Sequence, residues 1–272
     1  MNSPLHRFKY LFLLISLINQ ANCYYNPFVQ SILVPDPKED QSLFQGLSLL
    51  GLTTTPYALS LTGQIRDQTG TTISDLLLTV ESRSNELDGL DATATTNTSG
   101  RFFIRLATGT TTFAVSQNDS LLFKFSISVT SPGEIRVTEI KDNSSGAEVS
   151  SFFAYDPGNQ PSFFELISSD PPNNVTTGEA PFAFYFYFSE EPQPPPGGQE
   201  AIWLSENIRV SPSLSLGNPA IEGESLIVLA NGFASQTTVY TITLGSGIIG
   251  STTGIPLTPR TINFTCLATC GP

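Results

Sequence analysis

The chain has 272 residues, of which 39% are hydrophobic and 13% charged, and its 24 acidic residues outnumber its 12 basic residues for a formal net charge of −12. This acidic balance argues against nucleic-acid binding, because clusters of Lys and Arg are needed to hold phosphates. The length and the hydrophobic content are sufficient for one or two packed domains.

The N-terminus has the three parts of an export signal. The first ten residues carry Arg7 and Lys9 but no acidic side chain, an apolar run covers residues 10–18, and a short polar stretch leads to Cys23. The apolar run is too short for a membrane-spanning helix, which needs about 20 apolar residues. The pattern predicts a signal peptide over residues 1–22, and the alternative is a buried N-terminal helix.

The stretch that ends in Cys23 resembles the lipobox of bacterial lipoproteins, in which the cysteine after the cleavage site receives lipid. Gln20 and Asn22 occupy places where that pattern usually has Leu and a small residue, and the looser box of spirochaetal lipoproteins tolerates such residues. The resemblance implies a fatty acid such as palmitate on Cys23, contact with a membrane, and an outer-membrane lipoprotein of the bacterial cell envelope. The alternative is ordinary cleavage near Ala21, which leaves Cys23 as a thiol.

The cysteine count bears on this choice. The chain has three cysteines, Cys23, Cys266 and Cys270, and an odd number in an exported protein leaves one unpaired. If lipid takes Cys23, the other two are near enough in sequence to close a small disulfide loop in an oxidising compartment. Two cysteines without further Cys or His cannot complete a zinc site.

Cleavage after residue 22 would also remove His6, the only histidine, and leave a formal net charge of about −14. A chain without histidine has no Ser-His-Asp triad, no histidine general base and no histidine-ligated metal. Pairs of carboxylates could still support catalysis, for example in a glycan hydrolase. We therefore predict a non-enzymatic protein without a cofactor, and keep the hydrolase as an alternative.

Residues 23–57 are predicted to form a lipid-anchored tether. Residues 34–40 are rich in Pro and charged side chains, and residues 44–52 are compatible with a short helical turn. A tether of this kind would hold the folded part of the chain away from the bilayer.

From about Ala58 onward, apolar and polar residues alternate, which is the pattern of half-buried β-strands. The clearest run predicts one face shared by Leu121, Phe123, Phe125, Ile127 and Val129. Other alternating runs lie at residues 59–65, 76–80, 102–106 and 113–115, with turn clusters at residues 67–70, 97–100 and 107–109. Short strands at this spacing predict an all-β chain of sandwich type.

The order of motifs in residues 58–132 resembles a carboxypeptidase-regulatory-like (transthyretin-like) domain. The matching pieces are the strand of residues 61–67 with Gly63, the turn at Gly70, the hairpin of residues 95–102, and the turn at Gly109 before Phe113. The resemblance implies an accessory β-sandwich over residues 58–140 that carries no catalytic residue. We expect a linker over residues 141–165.

Residues 166–272 are predicted to form a second β-sandwich, and their clearest strand is at residues 181–190. One face of that strand is predicted to hold Phe182, Phe184, Phe186 and Phe188, and the other Ala183, Tyr185 and Tyr187. Further strands are predicted at residues 208–210, 226–229, 239–244 and 261–266. The Pro-rich residues 192–198 are expected to be an exposed connection, because Pro removes donors from the ladder.

This second region resembles the bacterial Ig-like domain of S-layer and other surface proteins. The matching pieces are residues 169–175 as the entry, residues 186–191 and 237–244 as strands, residues 248–257 as a turn, and residues 261–265 as the closing strand. The resemblance implies a spacer or adhesive unit without a common catalytic site. The predicted fold is therefore two Ig-like or transthyretin-like β-sandwich domains after a signal peptide and tether.

Three aromatic residues are candidates for a binding surface. Tyr185 and Tyr187 would form an aromatic platform for a sugar or a protein, and Trp203 beside the Pro-rich connection would be an anchor at an interface. The alternatives are tyrosines on an ordinary half-covered sheet face and a tryptophan that closes the end of the core.

Two groups of acidic residues are candidate metal ligands. Glu86, Asp88 and Asp91 are weak candidates for Ca²⁺, because their spacing is not that of an EF-hand loop. The sequence favours a solvated acidic loop for this segment. The residues Glu190, Glu191 and Glu200 around the Pro-rich connection carry the same weak hypothesis.

Taken together, the sequence predicts a non-enzymatic cell-envelope lipoprotein whose β-sandwich modules act in adhesion, binding or spacing at the cell surface. Its expected partners are the membrane, through lipid on Cys23, and an unidentified protein or glycan. The alternatives are a structural periplasmic component without an external ligand and a carboxylate-based glycan hydrolase.

Overall fold

A computed structural model describes residues 55–271 of the chain. The predicted signal peptide, Cys23 and the helical turn at residues 44–52 lie outside the described residues, together with nearly all of the predicted tether. Among the described residues no helix has the length and hydrophobicity needed to cross a membrane.

The described residues form an all-β fold, as the alternating pattern predicts. The first eight strands are β1 (Ala58–Arg66), β2 (Leu77–Arg83), β3 (Thr93–Thr95), β4 (Arg101–Ala107), β5 (Gly109–Gln117), β6 (Ser120–Ser131), β7 (Glu134–Lys141) and β8 (Glu148–Tyr155). The remaining strands are β9 (Leu166–Asp170), β10 (Val175–Thr177), β11 (Ala183–Phe188), β12 (Ile208–Ser211), β13 (Ser215–Leu216), β14 (Ala220–Glu222), β15 (Ser225–Asn231), β16 (Thr238–Leu244) and β17 (Arg260–Cys266). Helix α1 (Glu200–Asn207) lies between β11 and β12, and a 3-10 turn (Ala268–Cys270) follows β17.

The first sandwich consists of a three-stranded sheet, in the order β4-β1-β8, and a five-stranded sheet, in the order β3-β2-β5-β6-β7. Both sheets contribute apolar side chains to one hydrophobic core. Phe102 of β4 and Phe125 of β6 contact each other across this core, with ring centroids 6.4 Å apart. Burial of these alternating residues is the main force that holds the two sheets together.

The run of residues 121–129 forms β6, but one predicted core residue lies outside the core. Leu121 is 54% exposed, whereas Phe123, Phe125, Ile127 and Val129 are buried. The register between β5 and β6 shifts at this end of the hairpin, because Val115 is opposite Phe123 while Ser116 is opposite Leu121. This irregularity breaks the strict alternation that the sequence prediction assumed.

The second sandwich also consists of two packed sheets. One sheet has the order β13-β15-β11-β9, with β14 also paired to β15, and the other has the order β10-β17-β16-β12. Its core includes Phe184, Phe186, Tyr240 and Phe264. The consecutive strands β9 and β10 belong to different sheets, and β10 pairs in parallel with β17.

The predicted linker at residues 141–165 is not a free connection in the structure. It contains β8, which pairs with β1 and completes the three-stranded sheet. Val149 is buried in the first core, and Phe164 is buried in the second. The apolar residues of this segment are therefore used by the two sandwiches, which leaves only a short connection between them.

The two sandwiches meet at a junction that contains buried charged groups. Arg66 of β1 donates hydrogen bonds of 2.7 Å each to the carbonyl oxygens of Gly70 and Leu166, one in each sandwich. Its Nη2 also lies 3.7 Å from a carboxylate oxygen of Glu165, and neither side chain is more than 2% exposed. Burial is the largest cause that lowers the pKa of Arg66 to about 10, and the charge of Arg260 acts in the same direction.

Main-chain hydrogen bonds continue the junction beyond these side chains. Thr72 N donates to Ile167 O, and Asn173 N donates to Thr69 O, both at 2.9 Å. The described residues from Pro56 onward accordingly belong to one compact unit.

Candidate ligand-binding groove

An open groove with a volume of about 700 Å³ lies at one edge of the second sandwich. It is found where the chain leaves β9, crosses to β10 in the opposite sheet, and returns to begin β11. Asp170, Glu179, Phe182, Ala183 and Tyr185 are among the residues that line it. The groove therefore brings together side chains from the end of one strand, the start of another and the loop between them.

Two prolines determine where the groove begins. Strand β9 pairs with β11 from Leu166 opposite Phe188 to Asp170 opposite Tyr185, and then ends. Pro171 and Pro172 follow, and because proline has no N–H to donate, it cannot continue a ladder. The first residues of β11 consequently extend past the end of β9.

This overhang leaves one edge of β11 without a strand partner. Ala230 N donates to Phe182 O just before β11 begins, and Phe188 N donates to Glu224 O at its other end. The main-chain groups of the even-numbered residues therefore face β15. The N–H and C=O of odd-numbered residues alternate to the other side of an antiparallel strand. Ala183 therefore directs both groups towards the groove, and neither has a hydrogen-bond partner in the described part of the chain.

Phe182 gives the groove an exposed aromatic side chain. The sequence predicts that Phe182 shares the buried face of Phe184, Phe186 and Phe188, but Phe182 is 75% exposed while the other three are buried. The prediction was wrong because Phe182 precedes the first residue of β11 and lies outside the core. Because Phe182 also lines the groove, its exposed ring is placed to contact a ligand there.

The predicted tyrosine platform is divided between the groove and its surroundings. Tyr185 lines the groove and is opposite Asp170 in the ladder, where directly paired side chains are close neighbours. Tyr187, 41% exposed, belongs to the same face of β11 but lies further along the strand. Trp203 is on α1 and packs against the second core. The structure therefore does not join Trp203 to the two tyrosines.

The groove is acidic. Asp170 and Glu179 line it, and none of its lining residues, all within the described part of the chain, is basic. A ligand with a positive charge would meet complementary charge here.

The loop that forms one wall of the groove is fixed at several points. Asn173 Oδ1 accepts a hydrogen bond of 2.8 Å from Asn263 N, and Asn174 N donates to Asn263 O at 2.6 Å. Asn173 N also donates to Thr69 O in a turn of the first sandwich. Thr69 belongs to the predicted turn at residues 67–70, where Asp67 Oδ1 accepts hydrogen bonds from two main-chain N–H groups. The first sandwich thus helps to hold the groove in shape, which lowers the entropy lost when a ligand binds.

The two cysteines of the described region form a disulfide. Cys266 and Cys270 are bonded, with Cα atoms 5.9 Å apart. Leu267 N, inside this loop, donates to Thr177 O at 2.9 Å. The disulfide therefore restrains a segment that contacts β10, next to the groove.

A smaller cleft of about 300 Å³ lies on the first sandwich, and its charged groups are largely paired with one another. Lys124 Nζ lies 2.5 Å from Glu81 Oε1, and Lys141 Nζ lies 3.0 Å from Glu139 Oε2. Since these charges already have partners, the cleft is a weaker candidate for ligand binding than the groove.

The weak calcium candidates are engaged in other contacts. Glu86 Oε2 lies 3.4 Å from Arg83 Nη1, and Asp91 Oδ2 accepts a 2.7 Å hydrogen bond from Arg105 N. Across residues 55–271, no group of three or more His, Cys, Asp or Glu is arranged to hold a metal ion. The structure therefore does not bring Glu86, Asp88 and Asp91 together as one set of metal ligands.

The glutamates around the Pro-rich connection make local contacts. Glu190 accepts a hydrogen bond from Thr253 N at 3.2 Å. Glu200 accepts one from Gly198 N at 3.0 Å, and main-chain N–H groups lower its pKa. The connection itself is mostly exposed, as predicted, but its first residue, Pro192, is buried.

Three features of the groove and the junction were missed in the sequence. The exposure of Phe182 and the unpaired edge at Ala183 depend on where β9 ends, and Pro171 and Pro172 were the available signal for that. Glu165 was assigned to a linker, although it is buried at the junction.

No protein-family model matches the chain, and no curated protein sequence matches it.

Proposed function

We propose that the chain is a non-enzymatic lipoprotein of the bacterial cell envelope that binds a protein or glycan ligand through the groove beside Phe182. The observation that carries the binding role is the 75% exposure of Phe182 next to the unpaired main-chain edge of Ala183. Exposed aromatic side chains contribute large contact areas at interfaces, because their rings are both apolar and rigid.

The proposed anchor rests on the sequence of residues 1–23. Basic, apolar and polar segments precede Cys23 in the order of an export signal. The disulfide between Cys266 and Cys270 accounts for the other two cysteines, which leaves Cys23 available for lipid. A lipid on Cys23 together with the following 30 or so residues would present the sandwiches at a membrane surface.

Metabolic labelling tests the anchor. Cells that express the full chain would be supplied with a traceable fatty acid, and incorporation would be compared between the natural chain and Cys23→Ala. We expect label in the natural chain alone. Equal labelling of both chains would contradict lipidation at Cys23 and leave export as a separate question.

Protease treatment of intact cells tests display at the surface. A binding protein that faces outward is cut by added protease, whereas a structural periplasmic component is protected until the outer membrane is opened. Cleavage in intact cells supports the proposal, and protection favours the structural alternative.

Binding assays test the groove. The full chain would be screened against arrays of synthetic peptides and of glycans, in parallel with Phe182→Ala and with Leu121→Ala as a matched control. Leu121 is also an exposed apolar side chain, at 54%, but it belongs to the first sandwich. We expect at least tenfold weaker binding of a captured probe by Phe182→Ala and unchanged binding by Leu121→Ala. Equal binding by all three chains, or capture of no probe, would contradict a binding role for the groove.

A further inference from the structure

We infer that the groove takes an extended, basic segment of polypeptide, which pairs with the free edge of β11 at Ala183. This inference rests on the proposed function and names the chemical class of the ligand. It is carried by three observations on the lining of the groove: unpaired main-chain groups, two aromatic side chains, and acidic side chains with no basic residue among the described lining residues.

The main-chain groups of Ala183 favour a polypeptide over a glycan. Ala183 is 4% exposed as a whole residue, so its N–H and C=O are poorly hydrated, and a peptide would reach them through the groove that Ala183 lines. Nearly all buried main-chain groups in proteins have hydrogen-bond partners, and an unpaired donor and acceptor side by side form the repeating unit of a sheet edge. An extended peptide supplies the matching acceptor and donor at the required spacing, as in other cases of strand addition.

The position of the free edge also fits a single added strand. A peptide that pairs with Ala183 would continue the line of β9, which ends at Asp170. Asp170 is followed in the chain by Pro171 and Pro172. These two residues have no N–H, so neither can donate a main-chain hydrogen bond to the edge of β11. The edge is therefore kept open by the sequence of the protein.

The side chains of the groove determine which peptide fits. Successive residues of an extended peptide point to opposite faces, so every second side chain would lie on the face of β11 that carries Tyr185. Phe182 and Tyr185 both line the groove, where they offer aromatic contacts to apolar side chains and cation–π contacts to Lys or Arg. Asp170 and Glu179 add two carboxylates, and the formal net charge of −12 for the whole chain attracts the same kind of ligand.

A random library of ten-residue peptides, displayed and selected on the full chain, tests the ligand class. We expect selected peptides to be enriched in Lys and Arg and in apolar residues at alternating positions. The double variant Asp170→Asn, Glu179→Gln should bind them at least tenfold more weakly, and Phe182→Ala should weaken them similarly. Leu121→Ala should bind them as the natural chain does.

Two further measurements test the pairing itself. Hydrogen exchange of the Ala183 amide should slow at least tenfold when a selected peptide is bound, because its N–H gains an acceptor. Two copies of the peptide would carry N-methyl groups, one at the odd-numbered and one at the even-numbered residues. One of the two copies should bind at least tenfold more weakly, because methylation removes the N–H groups that face β11. Unchanged exchange at Ala183, or full binding by both methylated copies, would overturn the inference.

The outcomes separate the inference from the proposed function. If glycans bind and Phe182→Ala abolishes that binding while no basic peptide is selected, the inference fails and the binding role of the groove remains. If selected peptides are acidic or neutral, the inference also fails. If no probe of either class is affected by Phe182→Ala, the proposed function of the groove fails with it.

Discussion

Arg101 and Glu165 are 64 residues apart in sequence, yet Nε and Nη2 of Arg101 both donate to the same carboxylate oxygen of Glu165, at 3.0 and 2.7 Å. Each side chain is only 2% exposed. Thr258 Oγ1 adds a hydrogen bond of 3.1 Å to that oxygen, and the Phe163 ring covers the guanidinium, with 4.1 Å between the ring centroid and the guanidinium carbon. Strand β4 of the first sandwich is thus connected to the start of the second sandwich by a fully desolvated ion pair.

Glu165→Gln should destabilise the protein strongly. Removal of one charge leaves Arg101 buried beside a neutral group, and breaking a buried pair in this way costs about 3–5 kcal/mol. Urea unfolding followed by the fluorescence of Trp203, the only tryptophan of the chain, would measure the change. Glu134→Gln is the control, because Glu134 pairs with Arg136 at the surface, with side chains 44% and 75% exposed. Similar midpoints for both variants would contradict a stabilising role for the buried pair.

Gly100→Ala should be far more damaging than Gly89→Ala. Both glycines have a positive φ, +66° and +74°, which costs a residue with a Cβ about 1 kcal/mol. A Cβ at Gly100 would lie 2.4 Å from Ile65 O, whereas a Cβ at Gly89 would meet no atom within 4 Å. We expect Gly100→Ala to lower the free energy of unfolding by at least about 2 kcal/mol more than Gly89→Ala. Chemical denaturation of both variants would check this. Equal losses in the free energy of unfolding would show that the backbone at Gly100 shifts enough to relieve the clash.

Reduction of the disulfide should have a moderate effect. The two cysteines are four residues apart in sequence. A loop this short restricts the unfolded chain only modestly, by about 2 kcal/mol. The urea midpoint of the natural chain should therefore fall when a phosphine reductant is added, while Cys270→Ala should not respond to the reductant. A response of equal size in Cys270→Ala would mean that the reductant acts elsewhere.

Acid should weaken the contact between Glu148 and Arg260, which joins β8 to β17 with a distance of 3.1 Å. Burial alone would raise the pKa of Glu148, but hydrogen bonding and the charges of Arg260 and Arg66 outweigh it, and the pKa is lowered. The folded state therefore favours the ionised form. Its contribution to stability is present above the usual pKa of a glutamate and is lost as the pH falls through the lower, folded value.

Glu148→Gln should accordingly lose less stability on acidification than the natural chain. The difference is expected to be below about 1 kcal/mol, because Glu148 is 46% exposed and solvent screens the pair. Urea midpoints at neutral pH and at about pH 3 would be compared for the natural chain, Glu148→Gln, Arg260→Gln and the double variant. Independent, additive effects of the two substitutions would contradict a direct contact.

The strands were largely predictable because their residues alternate. Phe102, Ile104 and Leu106 predict β4, and all three are buried in the core between the two sheets of the first sandwich. The turns were also predictable, because Gly70, Gly100 and Gly109 all adopt the positive φ that glycine favours. These features depend only on neighbours in sequence.

The junction could not be predicted in the same way. Alternation in β1 places Gln64 and Arg66 on the face opposite Leu61 and Ile65, yet both are buried. Arg66 donates to Leu166 O of the second sandwich and to Gln64 Oε1, and a strand pattern contains neither contact. A contact between Arg101 and Glu165 depends on how two separate cores are oriented, and a strand pattern carries no information about that. Phe182 was misplaced for a related reason, because its environment depends on the point at which β9 stops pairing.

The buried junction also has a mechanical consequence. The described chain begins in the first sandwich, whereas the groove lies in the second. A pull between the start of β1 and the groove would pass through both sandwiches and the polar contacts between them. These contacts lie where the sequence predicts a linker, so the two sandwiches are joined directly by hydrogen bonds and a buried ion pair. The strength of these contacts would therefore set how large a pull the two sandwiches withstand before they separate.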